Sequence, residues 1–224
     1  MYQPVEFRDD GVIRAYAHIV RNPFGILVTG HGPRMGATHL PFLLDDELSP
    51  TGLVSHFAVR NEQLATVADG QEVLTIFPGP HTYISPTLYH AENDVPTWNY
   101  TAVHLHGRYQ RVDQHGLRSI LERTVERFER DSEEPWLLDS LPQSAIRSLS
   151  RGVIGFTIET TSIEGGYKLS QDKLAEDVES VETALVTRGL PNGPAVADEM
   201  RRADVRGRST PPTTDPDSWL GPVQ

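Results

Sequence analysis

The chain has 224 residues and no cysteine, and its 31 acidic side chains against 20 basic ones give a formal net charge of −11. Without thiols it can hold no disulfide, iron–sulfur cluster or zinc–thiolate centre, a composition expected of the cytoplasm. The acidic balance opposes contact with nucleic-acid phosphates unless positive charge is gathered locally. The one such cluster, RRADVRGR at 201–208, reads as a solvated helix end, so direct DNA binding is not expected. No apolar run marks a secretory leader or a membrane span, and neither a membrane partner nor a membrane location is expected.

In chain order, Val12, Ile13, Tyr16, Ile19 and Val20 recur at helical spacing after Asp9 and Asp10, which could cap the helix, and Asn22-Pro23 ends it. FGILVTG (24–30) reads as a strand, HGPRMG turns it, and ATHLPFLL runs back as its hairpin partner. GLVSHFAV (52–59) is a further strand, NEQLATVADG one or two helical turns closing at Gly70, and QEVLTIF a strand again. From Thr101 to Val112 the pattern alternates, with Thr101, Val103 and Leu105 on one face and Ala102, His104 and His106 on the other. Gln114 to Arg130 is the clearest helix, with a stripe of Leu117, Ile120, Leu121, Thr124, Val125 and Phe128. RGVIGFTIETTSIEG is a last strand; QDKLAEDVESVETALVTRG is a helix stopped by Gly189, and PAVADEMRR another. The fold class expected is mainly β with helices (α+β), a small barrel with helical decorations, because helices do not alternate with strands as a doubly wound sheet requires. One domain is expected over 1–203, and the proline-rich stretch 204–224 is expected to be a disordered tail.

Four segments could carry chemistry. HTYISPTLYHAENDVPTWNY (81–100) gathers Tyr83, Tyr89, Trp98 and Tyr100 among prolines and the polar Ser85, Thr97 and Asn99. Rigid rings beside hydrogen-bonding groups suit the flat face and polar rim of a planar heterocycle, or else an aromatic core with a hydrogen-bonded corner. SHFAVRNEQ puts His56 at a strand end with Arg60 and Asn61 beyond it, where a helix could begin and receive an anion. His104 and His106 share a strand face, but no third ligand with metal-site spacing accompanies them. IEGGYKLSQD sets Lys168, Ser170 and Gln171 before a helix, a possible anion seat or a simple turn.

Taken together, MYQPVEF, ATHLPFLL, GLVSHFAVRN, FPGPHTYISPTLY, VPTWNYTAVHLHG, VIGFTIE and IEGGYKLSQD resemble the PaiB family, described as FMN-binding negative transcriptional regulators. The resemblance covers residues 1 to about 185. It implies a split β-barrel of the flavin-reductase or pyridoxamine-oxidase type, in a homodimer that binds FMN at the subunit interface. It implies a cofactor set of His56, Arg60, Asn61, Tyr83, Ser85, Tyr89, Thr97, Trp98, Asn99, Lys168, Ser170 and Gln171, with Lys168 and Ser170 at the phosphate. The chain departs from the family where Leu88 stands in place of a tryptophan, where Arg60 is displaced by one residue, and where Asp172 follows KLSQ. One branch, the piperazate synthases, uses heme b to form a nitrogen–nitrogen bond in N-hydroxyornithine. Resemblance to that branch implies His56 as both the catalytic residue and the heme-iron ligand, and such an enzyme is the alternative to a flavoprotein with a redox or regulatory role.

Overall fold

A computed structural model describes residues 11–31, 34–90 and 94–203, together with Met1, Pro4, residues 7–9 and Val205. Apart from Val205, the tail expected at 204–224 lies outside the described residues. The elements in order are β1 (Arg8–Asp9), α1 (Val12–Arg21), β2 (Phe24–His31), β3 (Arg34–Pro41), β4 (Leu43–Leu44), β5 (Gly52–Ala58), β6 (Glu72–Ile84), β7 (Thr97–Arg111), α2 (Gln114–Glu129), α3 (Gln143–Ser150), β8 (Val153–Lys168), α4 (Ala175–Thr187) and α5 (Gly193–Arg202). Short 3-10 turns occupy Glu62–Thr66, Pro86–Leu88 and Leu138–Ser140. The strands follow the order β3-β2-β6-β7-β8-β5-β4, with β1 paired to β8. No helix among the described residues is long and apolar enough to cross a membrane. Two compact units are distinguished: a larger one of Asp10–Pro78 with Ala102–Gly165, and a smaller one of Met1–Asp9, Gly79–Thr101 and Gly166–Gln224.

In the larger unit, the expected hairpin forms with Phe24 opposite Pro41 and His31 opposite Arg34. β5 pairs antiparallel with β8, from Gly52 opposite Glu159 to Ala58 opposite Val153. The core is aromatic. Phe156 has the rings of Phe57 at 4.9 Å, Tyr109 at 5.1 Å and Phe42 at 6.3 Å, and Phe42 meets Phe77 edge-on at 5.4 Å. The alternation expected in β7 holds: Thr101, Val103 and Leu105 are buried, while Ala102, His104 and His106 are half-buried. Helix α1 buries Ala15, Tyr16, His18 and Ile19, whereas Val12 and Ile13 face solvent. Its N-cap is Gly11; of the two aspartates expected to cap it, Asp10 and the side chain of Asp9 lie outside the described residues. Helix α2 buries only Leu117 and Ile120 of its expected stripe, and Phe128 is exposed.

One glycine in this unit is fixed by contact. A Cβ on Gly52 would lie 2.1 Å from the Ile158 carbonyl oxygen on the paired strand. Gly52→Ala must push β5 away from β8, and we expect a loss of about 1–3 kcal/mol of stability, read as a lower urea midpoint.

The smaller unit is built on α4 and α5. Val178, Val181, Ala184 and Leu185 from α4 and Val196, Ala197 and Met200 from α5 are buried. Gly193 opens α5 where a Cβ would meet the Leu185 carbonyl oxygen at 2.3 Å, so the two helices touch through backbone. Gly189, with φ +64°, takes the left-handed position just past α4, as expected from the sequence. Pro78 and Pro80 do not stop β6. The strand continues to Ile84, and its buried residues change from odd (Val73, Thr75, Phe77) to even (Thr82, Ile84) positions across Pro78-Gly79-Pro80.

Candidate functional site

The proposed site residues are divided between the two units. His56, Arg60 and Asn61 belong to the larger unit; Tyr83, Ser85, Tyr89, Thr97, Trp98, Asn99, Lys168, Ser170 and Gln171 belong to the smaller one.

In the larger unit, His56 sits on β5 opposite Gly155. Its Nδ1 is buried without a hydrogen-bond partner among the described residues, and burial lowers its pKa, favouring the neutral imidazole. Arg60 is exposed in the turn after β5. Asn61 is committed to structure: its carbonyl oxygen accepts from the Gln63 N–H at 2.9 Å, capping the 3-10 turn, and its amide donates to Thr38 Oγ1 at 2.9 Å. The expected helix start is this short turn and no more.

Gln63 is the residue the sequence did not flag. It is buried, and its amide nitrogen reaches the carbonyls of Leu27 (2.9 Å) and Gly36 (3.1 Å) and the hydroxyl of Thr29 (2.9 Å), tying the turn to β2 and β3. A glutamine two places after a capping asparagine was the available signal. His104 and His106 stay on one half-buried strand face, where burial lowers the His104 pKa. No cluster of three His, Asp or Glu able to hold a metal occurs among the described residues.

In the smaller unit, strand alternation sorts the candidates. Trp98 and Tyr100 lie on one face of β7, Thr97 and Asn99 on the other. On the first face, the Trp98 ring meets Tyr83 of β6 edge-on at 6.1 Å and His81 at 6.2 Å. Trp98 is 53% exposed and Tyr83 45%, so this aromatic wall is open. On the second face, Asn99 is fully buried, and its amide donates to Ser170 Oγ at 2.9 Å. Ser170 itself holds a φ of +66°, a conformation that serine rarely adopts and that this hydrogen bond helps to fix. Gln171 folds back on its own loop, accepting from the Leu169 N–H at 2.6 Å. These residues precede α4, but the helix starts only at Ala175 with Leu174 as its N-cap, so they do not form the expected seat at a helix start.

Lys168 differs from them. Its ammonium is hydrogen-bonded to Thr97 Oγ1 and lies 5.5 Å from the centroid of the Phe7 ring. Half-buried, it forms no ion pair within 4.0 Å among the described residues, and burial pulls its pKa below the ordinary lysine value. Lys173 nearby is, by contrast, paired with Asp94 and lies 4.9 Å from the centre of the Tyr89 ring. Tyr89 is buried, and burial pushes its phenol up to about 12; the neighbouring Ser170 hydroxyl opposes this without completing a bond to the phenol oxygen. Ser85 caps the 3-10 turn at Pro86–Leu88, its Oγ accepting from the Thr87 N–H at 3.3 Å.

This donor set can be tested against a flavin mononucleotide. The ring system needs flat apolar surface and the phosphate needs a cation not already neutralised. Trp98 and Tyr83 supply the first and the unpaired Lys168 ammonium the second, so the residues fit. Asn99 and Gln171 are spent on holding the loop, and Tyr89 is packed in the core.

The strand order and antiparallel pairing define a split β-barrel with helices, and solved structures share it. A FAD- and heme-binding protein from Mycobacterium smegmatis superposes with a TM-score of 0.56 at 13% identity, over 72% of this chain and 73% of that one. The flavocytochrome Anf3 from Azotobacter vinelandii gives 0.55 at 9% identity, over 97% and 77%. Within this class, residues 1–162 match the family model "Putative FMN-binding domain". The chain is also 34% identical over 200 residues to Protease synthase and sporulation protein PAI 2 of Bacillus subtilis (strain 168), covering 89% of this chain and 96% of that protein. It belongs to this PaiB-like family of FMN-binding domains, and FMN is the cofactor its family membership assigns.

Proposed function

We propose that the protein is a flavoprotein that works as a homodimer and serves redox chemistry, with each FMN held by residues of both protomers. The observation that carries this reading is the half-buried Lys168 ammonium, which has a hydroxyl and a ring as neighbours and no ion pair within 4.0 Å among the described residues, with the Asp172 carboxylate acting on it only from farther off. Such a cation is suited to a phosphate. The aromatic wall lies on the opposite face of β7 from Thr97, the residue that positions Lys168. A cofactor shared across a two-fold axis reconciles the two: the rings of one protomer meet the same flavin as the partner's Lys168.

An exposed sheet face in the larger unit supports dimerisation. Ile26 and Val28 pair with Ile76 and Leu74, and beside them stand His39 and Ala37, with Phe24 61% and Met35 78% exposed. A contiguous apolar stripe of this kind is a candidate for burial against a second copy.

FMN, when bound, supplies electron and hydride transfer. The protein's own part is to clamp the phosphate with Lys168, orient the ring against Trp98 and Tyr83, and limit water at that face. Its net charge of −11 argues against regulation through direct contact with DNA.

A second reading rests on the orphaned Nδ1 of His56. A neutral, half-buried imidazole is the usual protein ligand of heme iron, which would make His56 the metal ligand of an N–N bond-forming enzyme acting on an N-hydroxylated amine. One pair of titrations separates the two. FMN added to the purified protein is expected to give a saturable fluorescence change that Lys168→Met weakens. Hemin is expected to give no Soret shift that depends on His56. The reverse pattern would replace the flavin reading with the heme one.

A further inference from the structure

Helix α2 carries a second cationic site, unconnected with the cofactor residues. Arg123, Arg127 and its C-cap Arg130 recur at i, i+4 and i+7 and therefore share a face. All three line one pocket of about 210 Å³, with Glu126 of the same helix and Leu43 and Glu47 from β4 and the loop after it. Two of the arginines are aimed by backbone. Arg123 Nη2 donates to the Leu44 carbonyl at 2.6 Å, and Arg127 Nη2 to the Val20 carbonyl at 3.2 Å. Each contact uses one of the five N–H groups of a guanidinium and neutralises no charge.

Glu47 and Glu126 line the pocket, yet neither forms an ion pair within 4.0 Å with Arg123, Arg127 or Arg130 among the described residues. Three guanidiniums against two carboxylates leave the pocket net positive in a chain of net charge −11. Apolar surface adjoins it: Ile19, Val20, Pro23, Phe42, Leu43 and Leu44 line a smaller cavity that shares Leu43, Glu47 and Arg127 with it.

We propose that this α2 pocket binds a phosphate monoester of a small metabolite. A tetrahedral dianion presents three terminal oxygens, which three guanidiniums approaching from one helix face can each engage, whereas a planar carboxylate uses one or two. The space equals about seven water molecules, room for a phosphate and a few further heavy atoms. The adjoining apolar wall takes a short hydrocarbon or aromatic part. The proposal does not depend on the flavin reading, because no residue is shared.

The test is calorimetric titration of the full chain with phenyl phosphate at low salt, in the Lys168→Met background so that the candidate cofactor seat is silent. One saturable site is expected. Arg130→Gln should weaken it at least tenfold, the scale of a lost charge-assisted hydrogen bond. Arg130 is exposed and forms no hydrogen bond among the described residues, so the unfolding midpoint should stay unchanged. Absence of saturable binding, or equal affinity in Arg130→Gln, overturns the site. Succinate binding as tightly as phenyl phosphate overturns the assignment to a phosphate ester.

Discussion

Phe156→Ala should lower the stability of the larger unit by about 3–5 kcal/mol, the largest effect expected of a single substitution in this chain. Phe156 is fully buried, and its ring has Phe57, Tyr109 and Phe42 around it, at 4.9, 5.1 and 6.3 Å. Removing it takes the centre out of a close-packed cluster. The neighbours sit on β5, β7 and the residue between β3 and β4, so they cannot all collapse into the space at once. Phe156→Leu keeps most of the volume and should cost less than about 1.5 kcal/mol. The measurement is urea unfolding of the three proteins. Equal midpoints for Phe156→Ala and the parent chain would show that the cluster is not what holds this sheet together.

Lys168→Met should weaken FMN binding roughly 10- to 100-fold, the range for losing one charge-assisted contact to phosphate. The pH dependence carries the same signature. Burial holds Lys168 below the ordinary lysine value, so in the folded chain it loses its proton at a lower pH than in the unfolded one. The penalty for burying the charged form is present below that lowered pKa and fades as pH rises through it. FMN affinity moves the opposite way, falling as pH climbs through the same value, because the phosphate then loses its cation. In Lys168→Met this alkaline loss should vanish, a change that mere loosening of the fold would not produce.

The shared-cofactor geometry makes a sharper demand. Trp98→Ala should also weaken FMN binding, and refolding a mixture of Trp98→Ala and Lys168→Met chains should restore about a quarter of the sites to parental affinity. Half the dimers are then mixed, and each mixed dimer has one intact site of two. If no tight site returns, Trp98 and Lys168 do not meet the same flavin from opposite protomers.

Much of the scaffold was legible in the residues. The β2–β3 hairpin, β5, the alternation of β7, the stop of α4 at Gly189 and helix α5 follow from periodicity and turn chemistry. What was not legible shows where those rules lose their grip. The strand read from QEVLTIF reached only Phe77, but proline is tolerated in a strand where its missing N–H is not needed by a neighbour, and β6 runs through Pro78 and Pro80 to Ile84. The stripe of α2 promised burial as far as Phe128, but only its first turns are covered. Helix α3 was missed because only Ile146 of it is buried.

The site was legible in composition and not in its division of labour. Tyr83, Trp98 and Lys168 were singled out by residue type, and the structure leaves the two rings open and the lysine without an ion pair among the described residues. That Asn99 and Ser170 hydrogen-bond each other depends on a pairing across 71 positions of the chain, which no local pattern announces, whereas Gln171 bonds within its own loop. The opposite facing of Thr97 and Trp98 was within reach, since a period of two decides it once β7 is known to begin at Thr97.

The change of parity at Pro78-Gly79-Pro80 constrains how this gene can vary in length. Gaining or losing one codon there would turn His81 and Tyr83 inward and push Thr82 and Ile84 out to water, inverting everything downstream on that strand. Two codons would restore the facing. Related chains that keep the open aromatic wall should therefore differ in this stretch by even numbers or not at all.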